Sequence, residues 1–420
     1  MLQTRLDAAR NTAVCAQCHS FRDILVDNFA AGDDYYDHFL PMLEFSQPAS
    51  EDPAYWPDGR PRRFSTDAYG FWQSECYLKG KATCLDCHVV PHNTDIDKNP
   101  QLKPDMNSLC TRCHAAEGTS VTAHTHHAEK SAGSSCVVYS IKAEIRDHAM
   151  TIPVPENTLH HAIPNACNVC HKNRDANWTL EKMNAWYSPA SRQKLIRRAD
   201  TFASARAGDP AAASKLLAML NEPAEGPLVR ANAMGYLGKY ASDPTIVRAI
   251  IAALSDPEAP VRAIAARVLN PPQELRSEAA PALGAALRDP VATVRIAAAV
   301  GLIGMGLRQP PSEYVEPLEL AKQLFRARAA LNSDDAEQDL AAGRFYMILS
   351  DPASAIAAFQ TSLKLDPQIP VQYLLGGAYA AQGNMAAAKQ VLEAIPMSDS
   401  QYEKAQRLLK AIAAQETARQ

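Results

Sequence analysis

Neither cysteine nor histidine occurs beyond position 171. The 249 residues that follow hold no thiol and no imidazole, which excludes Cys/His metal sites and Cys or His nucleophiles from them. Long apolar runs are also missing. The longest, near Ile296 to Leu307, is too short to span a bilayer. The first residues, MLQTRLDAARNTAVCAQCH, lack the apolar h-region of a signal peptide. No basic stripe suggests a nucleic-acid surface. Net charge is −4, with 16 Lys+Arg against 22 Asp+Glu in residues 1–180 and 26 against 24 in 181–420. An imbalance this mild reads as a solvated surface.

What is present is concentrated. All 10 Cys and all 12 His lie in the first 171 residues. Four C-x-x-C-H strings stand there: Cys15, Cys18, His19; Cys84, Cys87, His88; Cys110, Cys113, His114; and Cys167, Cys170, His171. This is the attachment signature of c-type haem. The two thiols add to the porphyrin vinyl groups, and the adjacent His becomes the proximal iron ligand. The expected cofactor is four covalently attached haem c groups. Zinc is the rival, because eight Cys in CxxC pairs with nearby His also suit Cys2His2 sites. Cys110 and Cys113 with His124 and His127 approach a finger spacing, but the intervals are short. Zinc needs no His directly after the second Cys, and here that occurs four times in four.

Each iron needs a sixth ligand or an open face. His38, His92, His124, His126, His127, His148, His160 and His161 remain, enough for bis-His ligation of four irons. Such haems have no free coordination position and favour electron transfer over substrate chemistry. In CHVVPH, the Pro before His92 stiffens the turn and points that imidazole toward a neighbouring haem. His127, in HTHH, and His148, in RDHAM, are the other expected distal ligands. For His148 the bland reading is a surface His held by Asp147. His38, His160 and His161 compete for the fourth position. Cys76 and Cys136 are left over, as small buried residues or a disulfide.

Residues 1–180 carry turn formers such as YWPDGRPRRF, VVPHNTD and IPVPEN. Short helices are expected at 20–31 and 33–45, with one leading into each CxxCH. From about 181 a helical pattern takes over. Val-Arg pairs at 229–230, 261–262 and 294–295 recur every 32 or 33 residues, with Asp-Pro before two of them. This predicts HEAT-type helix pairs. From about 315, Gly343, Tyr346, Ala355, Phe359 and Pro367, then Leu375, Gly376, Tyr379, Ala388 and Leu392, follow the tetratricopeptide template. Flanking helices are expected at 315–330 and 400–415. The predicted fold is mainly α: a loop-rich multihaem cytochrome domain (1–180), then an α-helical solenoid of HEAT-like (181–312) and TPR-like (313–420) repeats.

The segments YWPDGR, FWQSECYLKGKATCLDCHVVPH, LCTRCHAAEG, HTHHAEKSAGSSC, RDHAMTIPVPE and IPNACNVCH, over about residues 11–180, resemble bacterial multihaem c-type cytochromes with C-terminal tetratricopeptide repeats. These share the paired-CxxCH arrangement of nitrite-reductase-associated and hydroxylamine-oxidoreductase-like cytochromes. The resemblance implies His92, His127 and His148 as axial ligands. It departs at Cys136, where the family opens a further CxxCH and this chain continues VVYSIKAEIRDHAM. It departs again at the start, since the family carries a signal peptide and further motifs upstream of the position of Cys15. A truncated N-terminus is therefore expected.

The functional expectation is a periplasmic or extracellular electron-transfer cytochrome rather than an enzyme. Its partners would be a redox protein and, through the repeats, a protein partner or a second copy. The alternative is an oxidoreductase acting on a small nitrogen or sulfur compound at an open haem. An interaction scaffold with a decaying haem region is a third reading.

Overall fold

The computed structural model describes residues 6–46, 53–62, 67–89, 102–103, 106–135, 147–306, 311–331 and 334–417. These contain 24 α-helices and one sheet of two short strands, so the protein is mainly α with a helical solenoid. Two compact units emerge. One comprises residues 1–23 and 28–272, the other 24–27 and 273–420. No helix among the described residues is long and apolar enough to cross a membrane.

The expected helices over 20–31 and 33–45 do not form as predicted. Residues 22–24 are a strand, and of 33–45 only Tyr35–His38 is α-helical, ahead of the strand Phe39–Pro41. Asn28 (φ 62°) and Gly32 (φ 114°) take left-handed backbone, which ends any helical run between them. Phe39 favours extended backbone, and Pro41 cannot donate to a helical ladder.

In the first unit the motif-bearing segment folds on an aromatic cluster. Tyr35, Phe39, Tyr55, Tyr69, Phe71 and Trp72 are all buried. Trp72 meets Tyr35 edge to face at 4.8 Å and donates its indole N–H to Thr12 at 3.1 Å. Both are arrangements that buried aromatics with a polar handle prefer.

This cluster continues into the helices that follow. The amide of Phe45 donates to Asn232 Oδ1 at 3.0 Å, and Glu44 accepts from both Asn232 and Arg206. Gly235 carries no Cβ because the Phe45 ring occupies that place, and Gly226 stands against Leu78. Arg192, fully buried, is held by Glu156 and Asn184 at 2.8 and 2.6 Å. Arg198 and Glu225, both buried, pair at 2.6 Å. Charges so placed are tolerated only because each is paired.

The Val-Arg repeat has a physical basis in both units. Val229, Val261 and Val294 are buried one per repeat, in helices Pro227–Leu237, Ala259–Val268 and Ala292–Gly304. The neighbouring Arg reaches back to the turn before its helix. Arg262 donates to the carbonyls of Asp256 and Pro257 (2.9 and 3.1 Å), and Arg295 to those of Asp289 and Pro290 (2.8 Å each). The Arg thus closes the Asp-Pro turn, whose carbonyls would otherwise have no partner in the helix. Arg230 instead bonds the carbonyl of Leu220 and the Asp256 carboxylate.

In the second unit, helices Ala336–Ile348 and Pro352–Leu365, then Gln372–Gln382 and Met385–Glu393, form two antiparallel pairs. The template glycines sit where the helices touch. A Cβ at Gly343 would overlap the Phe359 ring, and one at Gly376 would lie 2.6 Å from Leu392. Ala355, Phe359, Leu375, Ala388 and Leu392 fill the interior. The flanking helices run Ser312–Leu331 and Tyr402–Thr417.

Gly343→Val, which forces a branched side chain into the Phe359 ring, is expected to destabilise the second unit by about 1–3 kcal/mol. Chemical denaturation of the full chain followed by far-UV circular dichroism reads this, and an unchanged midpoint would refute it.

Candidate functional site

Each CxxCH is built on one helical turn, and the same hydrogen bond recurs in all four. The His amide donates to the carbonyl of the first Cys at 2.9 Å: His19 to Cys15, His88 to Cys84, His114 to Cys110 and His171 to Cys167. An i→i+4 bond places Cys i and Cys i+3 on one side of the turn and releases the chain at the His. Side chains cap two of the turns. Asn165 Oδ1 accepts from the amides of Cys167 and Asn168, and Asp86 accepts from the Thr83 amide and hydroxyl. Cys18, Cys113 and Cys170 are exposed, and Cys15, Cys84, Cys87, Cys110 and Cys167 are half-buried. All eight are free thiols.

Contacts link the first motif to the second and the second to the third. Cys84 shares a hydrogen bond with Cys15, and that bond, with burial second, pushes the Cys84 thiol far above its ordinary range. Burial also raises Cys87 and Cys167. Arg112, inside the third motif, donates to the carbonyl of Asp86 inside the second at 2.8 Å.

Two motif histidines face a second imidazole. The rings of His88 and His148 have centroids 6.2 Å apart and planes within 16°. Those of His127 and His171 lie 6.0 Å apart at 32°. Two imidazoles that each bind one metal through a nitrogen at about 2 Å have ring centres roughly 6 Å apart. His148 and His127 are also anchored through Nδ1, which leaves Nε2 unengaged by these contacts. His148 Nδ1 lies 3.4 Å from Asp67, and His127 Nδ1 lies 2.6 Å from the carbonyl of Thr125. A ligating His is ordinarily oriented in this way by its other nitrogen.

Packing and ion pairs hold both of these imidazoles in place. Gly133 leaves space that the His127 ring fills. His148 follows Asp147, whose carboxylate takes Arg60 Nη1 at 2.7 Å; Arg60 Nε also binds Asp58 at 2.7 Å. Asp147 therefore holds its loop through Arg60, and it is Asp67 that reaches the His148 ring.

The other histidines are engaged elsewhere. His126, in left-handed backbone, stacks on Trp186 at 4.3 Å. The carbonyl of His124 accepts from the Tyr187 hydroxyl. His38 Nε2 lies 3.3 Å from Asp33, and its ring packs edge-on to Phe29. His161 Nε2 binds Asp200 at 2.7 Å, with His160 against its ring. His92 and Cys136 lie outside the described residues.

Reasoning from sequence missed Asp67. Its carboxylate reaches His19 Nδ1 at 3.3 Å as well as His148. That hydrogen bond, opposed by burial, raises His19 above the usual imidazole range. Burial alone would raise the Asp67 carboxyl, but the bond to His19 and the charge of His148 outweigh it and hold it low. No local signal in FSTDAYGF announces this role.

The chain's residues fit haem. A porphyrin supplies the equatorial nitrogens, so the protein owes two thiols on one helical turn and one or two axial imidazoles. Among the described residues no group of three or more His, Cys, Asp or Glu is placed to hold a bare metal ion.

Comparison with known families agrees over three segments. Residues 78–119 match the family described as doubled CXXCH motif. Residues 213–303 match HEAT repeats, and 340–412 match tetratricopeptide repeats. The chain thus combines the paired haem-binding signature of c-type cytochromes, which indicates covalent haem c, with two kinds of helical repeat that suit protein–protein interaction. No curated protein and no solved structure matched.

Arg60→Met would leave Asp58 and Asp147 without their shared cation. A broken buried pair costs about 3–5 kcal/mol. The expected outcome is a loss of that size in denaturant unfolding of the full chain, and a loss below about 1 kcal/mol would show that the clamp is not needed.

Proposed function

We propose that this protein is an exported electron-transfer cytochrome carrying four haem c groups, with its helical repeats as the docking region for a protein partner. The observation that carries the reading is the pair of imidazole couples, His88 with His148 and His127 with His171. Cys15 and Cys18, Cys84 and Cys87, Cys110 and Cys113, and Cys167 and Cys170 would hold the four porphyrins by thioethers. His19, His88, His114 and His171 would be the proximal ligands. His148 is the distal ligand opposite His88, and His127 the one opposite His171. His92 stays a distal candidate for another haem. When bound, the haem irons supply one-electron redox chemistry; the chain fixes their ligands and brings the attachment points together.

That closeness supports transfer between haems. Cys15 and Cys84 touch, and Arg112 ties the third motif to the second. Bis-His ligation favours the lower potentials of a relay over Met/His ligation. The proposed organisation is a cytochrome domain over 1–180, HEAT-like repeats over 181–312 and TPR-like repeats over 313–420. The subtype favoured is that of nitrite-reductase-associated and hydroxylamine-oxidoreductase-like cytochromes, on the segments that resemble them. Export to the periplasm or beyond follows from the attachment chemistry, which takes place outside the bacterial cytoplasm.

A second reading, an oxidoreductase acting on a small nitrogen or sulfur compound, has one observation in its favour. His38 and His161, two competitors for the fourth distal position, already engage carboxylates through Nε2. An iron lacking a distal imidazole would keep an open face.

Intact mass and visible spectra of the chain made in a host with c-haem maturation test both readings. Four haem masses and a low-spin spectrum unmoved by carbon monoxide are the expected result. A carbon monoxide shift in the unaltered chain would favour the enzyme, and bound zinc without haem would sink both.

His148→Ala and His127→Ala are each expected to make one haem of four carbon monoxide-reactive while all four masses remain. A spectrum unchanged by either substitution would remove that residue from the ligand set.

A further inference from the structure

The helix Asp67–Trp72 stands between two of the haem-binding segments and touches both. Toward the first motif, the Asp67 Oδ2 atom lies 3.3 Å from His19 Nδ1, and the Ala68 amide donates to the His19 carbonyl at 3.0 Å. Toward the second, Asp67 Oδ1 lies 3.4 Å from His148 Nδ1. His148 in turn faces His88 across 6.2 Å. The helix can come this near because residue 70 is glycine. A Cβ there would stand 3.2 Å from the Ala149 amide nitrogen and 3.4 Å from His148 Cβ. The far side of the His148 loop is held by Arg60 through Asp147, so the imidazole is fixed from two directions.

We propose that Asp67 is a positioning residue shared by two haem centres, holding the proximal His19 of one and the distal His148 of its neighbour through a single carboxylate. The inference rests on the cytochrome reading above and extends it to a residue outside every motif.

The physical consequence follows from where the negative charge sits. A carboxylate at Nδ1 draws on that N–H and makes Nε2 a stronger donor. A stronger donor stabilises the ferric state and lowers the potential. Asp67 hydrogen-bonds His19 and stands at ion-pair distance from His148, so its charge acts on both irons and ties them electrostatically. Asp67 is half-buried, with 23% of its side chain exposed, so bulk water only partly screens the effect.

The test is spectroelectrochemical titration of the full haem-loaded chain, unaltered and as Asp67→Asn. Two of the four midpoints are expected to rise, each by about tenfold in the reduction equilibrium, about 59 mV for a one-electron couple. The other two should stay, and the haem mass should not change. Asp200→Asn, which removes the partner of His161, serves as the control and should move neither of those two midpoints. In a His148→Ala background, Asp67→Asn should move one midpoint instead of two. Four haems with unmoved midpoints would overturn the role of Asp67 while leaving the cytochrome intact. A chain that takes up no haem would overturn both. If the Asn variant does not accumulate, Asp67→Glu keeps the charge and displaces it by one methylene. Movement of the same two midpoints then supports the proposal, and no movement overturns it.

Discussion

The hydrogen bond from each motif His amide to the carbonyl of its first Cys is the constraint on which the site depends. It is found at 2.9 Å in all four motifs. It turns five residues into a single geometric object: two thiols on one side of a helical turn, with an imidazole where the turn ends. No long-range contact is needed to make it, and it forms in segments that share no other regular structure. The four copies then differ only in what surrounds them. Asn165 caps one turn, Asp86 another, and Cys15 and Cys84 bring two side by side.

The second element of each centre cannot be local. In the proposed centres the second imidazole comes from elsewhere in the chain and is held against a ring it does not adjoin in sequence. For His148 the chain uses a half-buried cation, Arg60, to fix the loop and an acid, Asp67, beside the ring. For His127 it uses its own carbonyl neighbour, Thr125, and the missing side chain of Gly133. The solutions share no sequence pattern, yet the ring separations are nearly equal. That near-equality is what supports the proposal that each pair binds one metal.

The helices after the motifs also pack against the motif-bearing segment. Within the first unit, Asn232 and Arg206 bind Glu44, and Gly235 makes room for Phe45. The segment around the motifs is poor in regular structure and rich in loops, so part of its core is borrowed from helices whose own pattern is that of a repeat. A repeat surface is suited to this, because each helix pair presents a face that another element must cover.

Much of this was written in the chain itself. The CxxCH turns, the Val-Arg period, the glycines at the tetratricopeptide helix crossings and the flanking helices all follow from short-range spacing. Short-range spacing is what local geometry reads. His127 and His148 could be singled out by composition, since an imidazole in a haem-rich segment has an evident use. Tertiary structure alone decided which imidazole faces which. It also decided that Asp147 belongs to Arg60 and Asp67 to two histidines, and that residues 20–45 form two short strands, turns and a single α-helical turn rather than two helices. Those outcomes turn on contacts between residues as many as 87 positions apart, as with Arg60 and Asp147. Such contacts depend on how whole segments pack, and no window of sequence contains both partners.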